Sequence, residues 1–253
     1  MKTTAVIAAF IAGIVGAGIS SGISSPGARA ESVDMLLVLA ADVSRSIDES
    51  EFNLQRKGYA AAMTDPQVLR AIVGGRHHGI AVTFIEWSGA ADQNVVVDWT
   101  VVRDEEAAGG VAATMLAAPR SFLGRTSISA AIDFAMERLA VAPAQADKRI
   151  IDISGDGTNN AGRAVTEARD DAVAAGVTIN GLAIINTQAN PGYAFHTQPP
   201  GGLPKYYEEN VIGGPGAFLL HVNNFDSFAA AITRKLVTEI AGGSAPPQTA
   251  SLP

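Results

Sequence analysis

The chain has 253 residues, a formal net charge of −7 and no cysteine. This length suits a single α/β domain, and the acidic balance disfavours binding to nucleic acid or to an anionic membrane surface. Without cysteine, disulfide frameworks and cysteine-linked lipid anchors are excluded, so stability must come from the hydrophobic core.

The amino-terminal thirty residues have the pattern of an export signal. Lys2 gives a basic start, Ala5 to Ile19 is apolar, and Ala28-Arg29-Ala30 is a small-x-small cleavage site. These features predict a signal peptide over residues 1–30, and an uncleaved membrane anchor is the alternative. The mature chain then carries a formal charge of −9, because the leader holds two of the 18 basic residues and none of the 25 acidic ones.

The rest of the chain divides into a domain over residues 31–241 and a tail over residues 242–253. The tail is rich in Gly, Ser, Ala and Pro without an apolar period, so we expect it to be disordered. No outer-membrane export signal is evident. We therefore expect an exported protein that is periplasmic rather than extracellular.

Strands and helices alternate through the domain. Apolar or alternating runs predict strands over Leu36–Ala41, Ile80–Trp87, Val95–Val102, Arg149–Ser154, Val177–Ile185 and Ala217–Val222. Helices are predicted after Ser46, after Asp65, and over Asp104–Ala118, Ile128–Leu139, Ala164–Ala175 and Phe225–Ile240. The gap from Gly89 to Asn94 is too short for a crossover helix, so the strands on either side should be antiparallel. The pattern predicts a doubly wound, mostly parallel Rossmann-like sheet with one antiparallel edge strand and helices on both faces.

Small oxygen-bearing residues stand where three of these elements begin or end. Asp42, Ser44 and Ser46 alternate after the first strand, and alternate residues of an extended chain point to one side. Thr126 precedes a helix, and Asp156 follows the strand that ends at Ser154. Sheets of this class bind ligands beyond the carboxyl ends of their strands, and hard oxygen ligands suit Mg²⁺.

This set resembles the metal-ion-dependent adhesion site of the von Willebrand factor type A (vWA) domain family, which has the pattern Asp-x-Ser-x-Ser, then Thr, then Asp. Asp42, Ser44, Ser46, Thr126 and Asp156 match all five positions, and the order of elements fits from about Val33 to Ile240. The likeness is greatest to small exported bacterial proteins made of little more than this domain, whose role is undefined.

The resemblance implies a role for each residue. Ser44 and Ser46 would ligate the cation directly, Asp42 and Asp156 mostly through waters, and Thr126 in either way. The cation would be Mg²⁺, with Mn²⁺ or Ca²⁺ as alternatives, and an Asp or Glu of a protein partner would complete its coordination. The implied function is metal-bridged protein binding, with no enzymatic activity, no nucleic-acid partner and no stable membrane insertion after signal cleavage.

Other interpretations stay open at this point. Ser46 with Glu49 matches a helix capping box, and Asp or Thr at element ends are ordinary caps. A Mg²⁺-dependent hydrolase, or a structural module with a vestigial site, would share the motif. The segment from Asn186 to Gly216 contains Tyr206-Tyr207-Glu208-Glu209-Asn210, which predicts either a short helix packed on the sheet edge or an insertion that rims the metal face.

Overall fold

The computed structural model describes residues 31–185, 191–242 and 250–252, so the predicted signal peptide lies outside the described residues. The strands are β1 (Glu31–Ser32), β2 (Met35–Asp42), β3 (Ile80–Trp87), β4 (Gln93–Val102), β5 (Ala144–Gln145), β6 (Lys148–Gly155), β7 (Thr178–Ile184), β8 (Leu219–Val222) and β9 (Ala250–Leu252). The helices are α1 (Glu49–Met63), α2 (Pro66–Val73), α3 (Glu105–Ala117), α4 (Ile128–Ala140), α5 (Val165–Ala174), α6 (Ala194–Thr197), α7 (Leu203–Asn210) and α8 (Phe228–Ala241).

Seven strands form one sheet in the order β4-β3-β2-β6-β7-β8-β9. The β3–β4 pair is antiparallel and the other neighbouring pairs are parallel, which confirms the predicted fold class. The chain moves from β2 to β3 on one side and later to β6 on the other, so the strand order reverses between β2 and β6. That position is where sheets of this class open a crevice for ligands.

The central strand β2 is buried along its whole length because helices cover both faces of the sheet. Leu37 and Leu39 pack into the layer formed with α1, α2, α3 and α8. Leu36 and Val38 pack into the opposite layer with α4, α5 and α7. Each such aliphatic side chain contributes roughly 1.5–3 kcal/mol when fully buried, so this run largely determines where the sheet lies.

The first helix begins later than predicted, because Asp48 rather than Ser46 is its cap. The Glu51 amide donates to Asp48 Oδ1 and the Asp48 amide donates to Glu51 Oε2, both at 2.8 Å. The predicted capping box of Ser46 with Glu49 is therefore wrong. The hydroxyl of Ser46 donates to the carboxylate of Asp156 instead and does not serve the helix.

The segment after β7 contains the predicted short helix, α7, preceded by a 3₁₀ turn over Pro191–Tyr193 and by α6. Leu203 and Tyr207 anchor α7 in the core, and residues 186–190 lie outside the described residues.

Three short strands, β1, β5 and β9, were not predicted. The β1–β5 pair has two residues per strand, which is too short for any periodicity to appear. In the expected disordered tail, Ala250–Leu252 pairs with β8, so for these three residues the structure differs from the expectation. Residues 243–249 and 253 lie outside the described part. Within the described part, no helix has the length and apolar character needed to cross a membrane.

Candidate metal site

The five predicted residues lie together at the carboxyl edge of the sheet. Asp42 ends β2, and Asp156 directly follows β6, the parallel neighbour of β2. Thr126 precedes Ser127, whose hydroxyl caps α4. All five are buried, with exposures from 0% for Asp42, Ser44 and Asp156 to 7% for Ser46.

Hydrogen bonds join the five side chains into one cluster. The Ser46 hydroxyl donates to Asp156 Oδ1 at 2.6 Å, and the hydroxyl oxygens of Ser44 and Ser46 are 3.3 Å apart. Thr126 Oγ1 donates to Ser44 Oγ at 3.2 Å. The Ser44 amide donates to Asp42 Oδ1 at 2.7 Å, which folds the chain back beyond the end of β2. Three separate segments thus bring hard oxygen atoms to one point.

Backbone contacts hold the loop after β2 in place. The Arg45 amide donates to the Gly124 carbonyl at 3.0 Å. Arg120 Nη2 donates to the carbonyls of Val43, Ser44 and Ile47 at 2.8–3.0 Å. The role of Arg120 was not predicted from the sequence, because no local pattern around it indicates contact with the loop after β2, which is distant along the chain.

Thr126 is fixed from the other side of the site by Asn160. The Thr126 amide donates to Asn160 Oδ1 at 3.0 Å, and its carbonyl accepts from the Asn160 amide at 2.8 Å. The loop that carries Asp156 therefore also positions Thr126, so these two candidate ligands are held together by hydrogen bonds.

Burial is the largest cause that raises the pKa of Asp42 well above its usual value, and the negative charge of Asp156 adds to it. The hydrogen bonds from Ser44 and the charge of Arg120 oppose this rise. Asp42 Oδ2 is buried and has no hydrogen-bond partner among the described residues. A cation in this position would relieve both the burial of negative charge and the repulsion between the carboxylates.

The donor set fits a hard divalent cation. Among the described residues there is no group of three or more His, Cys, Asp or Glu side chains suited to a metal. Instead, the hydroxyls of Ser44, Ser46 and Thr126 are three of the five candidate ligands, and the other two are carboxylates. Oxygen donors of this kind suit Mg²⁺, Mn²⁺ or Ca²⁺.

Two adjacent tyrosines of α7 reach the site and were not among the predicted residues. Tyr206 Oη accepts a hydrogen bond from the Asn159 amide at 3.1 Å, in the loop that follows Asp156. Tyr207 Oη is buried beside Gly155: a Cβ at Gly155 would lie 2.8 Å from Tyr207 Oη and 3.0 Å from Asp42 Oδ2. The tyrosine pair was the signal in the sequence, and its contact with the site depends on tertiary packing.

A cleft of about 160 Å³ lies over this cluster. It is lined by Arg45, Ser46, Gly124, Arg125, Thr126, Asn160, Tyr193 and His196. Ser46 and Thr126 are buried residues of this lining, so the cleft reaches two of the five candidate ligands. Tyr193 and His196 belong to the segment that follows β7, so that segment both packs on the sheet and borders the metal face.

The doubly wound sheet with these flanking helices is the fold of vWA domains, as comparison with solved structures shows. One similar structure is proximal thread matrix protein 1 from the mussel byssus, which has a zinc-occupied metal-ion-dependent adhesion site (MIDAS) motif. It has 14% sequence identity to this chain and a TM-score of 0.60, over 83% of this chain and 48% of that one. A vWA protein from Catenulispora acidiphila has 12% identity and a TM-score of 0.59, over 82% and 43%. The pilus adhesin SpaC from Lactobacillus rhamnosus GG has 12% identity and a TM-score of 0.60, over 82% and 31%.

In sequence, the chain belongs to the family of proteins of unknown function DUF1194, which matches residues 32–244. No curated protein is significantly similar to the chain in sequence. The chain spans less than half of the length of the three solved structures above, which share its fold.

Proposed function

We propose that the mature chain is an exported module that binds a protein partner through a divalent cation. Ser44, Ser46 and Thr126 would hold the cation with their hydroxyls, and Asp42 and Asp156 would supply negative charge directly or through water. Mg²⁺ is the proposed cation, with Mn²⁺ or Ca²⁺ as alternatives. The observation that carries the proposal is the buried, hydrogen-bonded cluster of these five side chains, in which Asp42 Oδ2 has no partner among the described residues.

The proposed partner contributes an Asp or Glu side chain. Asp42 and Asp156 balance the charge of a divalent cation without leaving a negative charge that would repel a further carboxylate. The cleft lined by Ser46 and Thr126 gives such an anionic group access to the site. Two proteins that share the fold, a byssus matrix protein with a zinc-occupied MIDAS motif and a pilus adhesin, support a binding role.

A role in binding fits the burial of both carboxylates better than catalysis does. Asp42 and Asp156 are 0% exposed, and neither lines the cleft. A hydrolase that uses aspartate as its nucleophile needs that carboxylate beside the substrate. The export signal predicted over residues 1–30 supports an exported, periplasmic location for this module.

Thermal unfolding tests the cation site. The protein without residues 1–30 is melted in EDTA and in millimolar Mg²⁺ or Mn²⁺, beside Asp42→Asn, which keeps the shape of the side chain. A cation at a hundred times its Kd stabilises by about 2.7 kcal/mol, which raises Tm by roughly 5–10 °C in a domain of this size.

The control variant is Asp147→Asn, an exposed aspartate beside the amino end of β6. We expect the Tm shift in the parent and in this control but not in Asp42→Asn. Equal melting of the parent in EDTA and in metal, together with no heat of Mn²⁺ binding by calorimetry, would contradict the proposal.

A further inference from the structure

The cleft over the candidate metal site is basic, although the molecule as a whole is acidic. Arg45 and Arg125 are exposed and line the cleft, and no Asp or Glu among the described residues lines it. Asp92 lies beside Gly124 but does not line the cleft, and its carboxylate accepts hydrogen bonds from the Ser88 hydroxyl and the Gly89 amide at 3.1 and 3.2 Å. Burial, with the nearby charge of Arg125, lowers the pKa of His196, so the two arginines supply the positive charge at neutral pH.

Arg125 is held in position and keeps donors available. Its Nη2 donates to the Asn160 carbonyl at 2.6 Å and its Nε lies 3.4 Å from Asn160 Oδ1. Nη1 has no hydrogen-bond partner among the described residues, so it is available to a ligand, and a guanidinium matches a carboxylate in geometry. Arg45 makes no side-chain hydrogen bond or ion pair with the described residues, and it lies between the two serines of the motif.

Two large exposed apolar residues are chain neighbours of residues that line the cleft. Phe195 is 95% exposed and is the chain neighbour of His196, and Leu123 is 63% exposed and is the chain neighbour of Gly124. His196 and Gly124 both line the cleft. Exposed apolar groups around a polar centre are typical of protein-binding surfaces.

We propose that this surface, defined by Arg45, Leu123, Arg125 and Phe195, selects a partner segment with two neighbouring acidic residues flanked by a large apolar residue. One acid would reach the cation, the second would pair with Arg125 or Arg45, and the apolar residue would cover Phe195 or Leu123. The inference rests on the proposed function and adds the chemistry of the partner to it. The charge complementarity of two arginines and a cation against a diacidic segment favours this occupant.

Three synthetic peptides with blocked ends and a fluorescent label test the inference by anisotropy in millimolar Mg²⁺. They have the cores Gly-Glu-Gly, Gly-Glu-Glu-Gly and Phe-Glu-Glu-Phe. We expect the affinity to rise in that order, with the last peptide at least tenfold tighter than the first and with binding weakened by salt.

Matched variants assign the preference to residues. Arg125→Glu and Arg45→Glu should each reduce the preference for two acids several-fold while leaving the Mg²⁺-induced Tm shift in place. Phe195→Ser should remove the increase in affinity of the Phe-Glu-Glu-Phe peptide over the Gly-Glu-Glu-Gly peptide. Arg76→Glu changes an exposed arginine between α2 and β3, beside the amino end of β3, and should bind like the parent.

Four results would overturn the inference and leave the cation site intact; the first three concern the peptides. They are equal affinity for all three peptides, no peptide binding up to millimolar concentration, and a preference that survives both arginine variants. Inorganic phosphate that competes as well as the Phe-Glu-Glu-Phe peptide would also overturn it, because a small anion makes no use of Phe195 or Leu123. Loss of the Mg²⁺-induced Tm shift in the parent would instead contradict the proposed function itself.

Discussion

Two pairs of buried carboxylates in this molecule differ in whether the protein itself supplies a cation to them. Asp42 and Asp156 meet at the candidate metal site, with Ser44 and Ser46 as their hydrogen-bond donors. On the face of the sheet covered by α8, Asp152 and Glu239 enclose Lys235. The Lys235 Nζ lies 2.7 Å from Asp152 Oδ1 and 2.5 Å from Glu239 Oε1, and Lys235 is fully buried.

The difference shows which site is complete in itself. A buried carboxylate costs several kcal/mol unless a cation or strong donors compensate it. At the second site Lys235 supplies that cation, and Asn180 Nδ2 adds a hydrogen bond to Glu239 at 2.7 Å. Asp42 has no ion pair with the described residues, since Arg120 donates to backbone carbonyls. The first site therefore suits a cation from solution, and the second is structural.

Lys235→Met gives the largest expected effect, because it leaves Asp152 and Glu239 buried without their cation. Breaking a buried pair in this way costs about 3–5 kcal/mol, which lowers Tm by roughly 6–20 °C. Thermal melts at pH 7.5 measure the loss. The triple variant Lys235→Met, Asp152→Asn, Glu239→Gln should recover most of it, because no charge is left buried.

The surface pair Lys205–Glu209 is the matched control for this change. It has the same i,i+4 spacing at 3.7 Å, but both side chains are 61% exposed. Lys205→Met should therefore change stability by less than about 0.5 kcal/mol. A loss at Lys235 no greater than the loss at Lys205 would mean that the buried lysine does not neutralise this pair.

The same cluster should make stability depend on pH. Burial raises the pKa of Glu239 to about 7 against the opposing charge of Lys235, and the charge of Asp152 adds to the rise. Between the ordinary glutamate pKa of 4.5 and about 7, the folded protein holds a proton that the unfolded chain has lost. Stability therefore falls as pH rises through this window, by an amount on the order of 3 kcal/mol at most.

Glu239→Gln should make that fall of Tm shallower between pH 5 and pH 7.5, measured at one fixed Mg²⁺ concentration. The exposed Glu106→Gln should leave the slope as it is in the parent. An unchanged slope in Glu239→Gln would show that Lys235 keeps this carboxyl ionised throughout the range, and that the structural site carries no proton.

The contrast between the two sites also explains what the sequence could reveal. Four of the five candidate ligands lie at or just beyond the ends of β2 and β6, and apolar runs such as Leu36–Ala41 are local signals that locate those ends. The Lys235–Glu239 spacing on a helix is typical of a solvated surface pair, and only packing against β6 shows that it is buried. The cap at Asp48 was missed for a related reason, because a distant aspartate, Asp156, takes the hydroxyl of Ser46.

The smallest expected effects come from Tyr206 and Tyr207, two neighbours that allow the same chemical change in opposite settings. Tyr206→Phe removes the acceptor of the Asn159 amide, which should cost about 0.5–1.5 kcal/mol and lower Tm by a few degrees in EDTA. Tyr207 Oη is buried without a hydrogen-bond partner among the described residues, so Tyr207→Phe should be neutral or slightly stabilising in EDTA.

With Mg²⁺ the Tyr207 hydroxyl should become stabilising, because a cation would keep Asp42 ionised and so give this hydroxyl an acceptor nearby. The Mg²⁺-induced rise of Tm should then be smaller in Tyr207→Phe than in the parent. If Tyr207→Phe instead loses as much stability in EDTA as Tyr206→Phe, the Tyr207 hydroxyl already has a hydrogen-bond partner without a cation. The candidate metal site would then depend less on a cation from solution than its comparison with the Lys235 cluster implies.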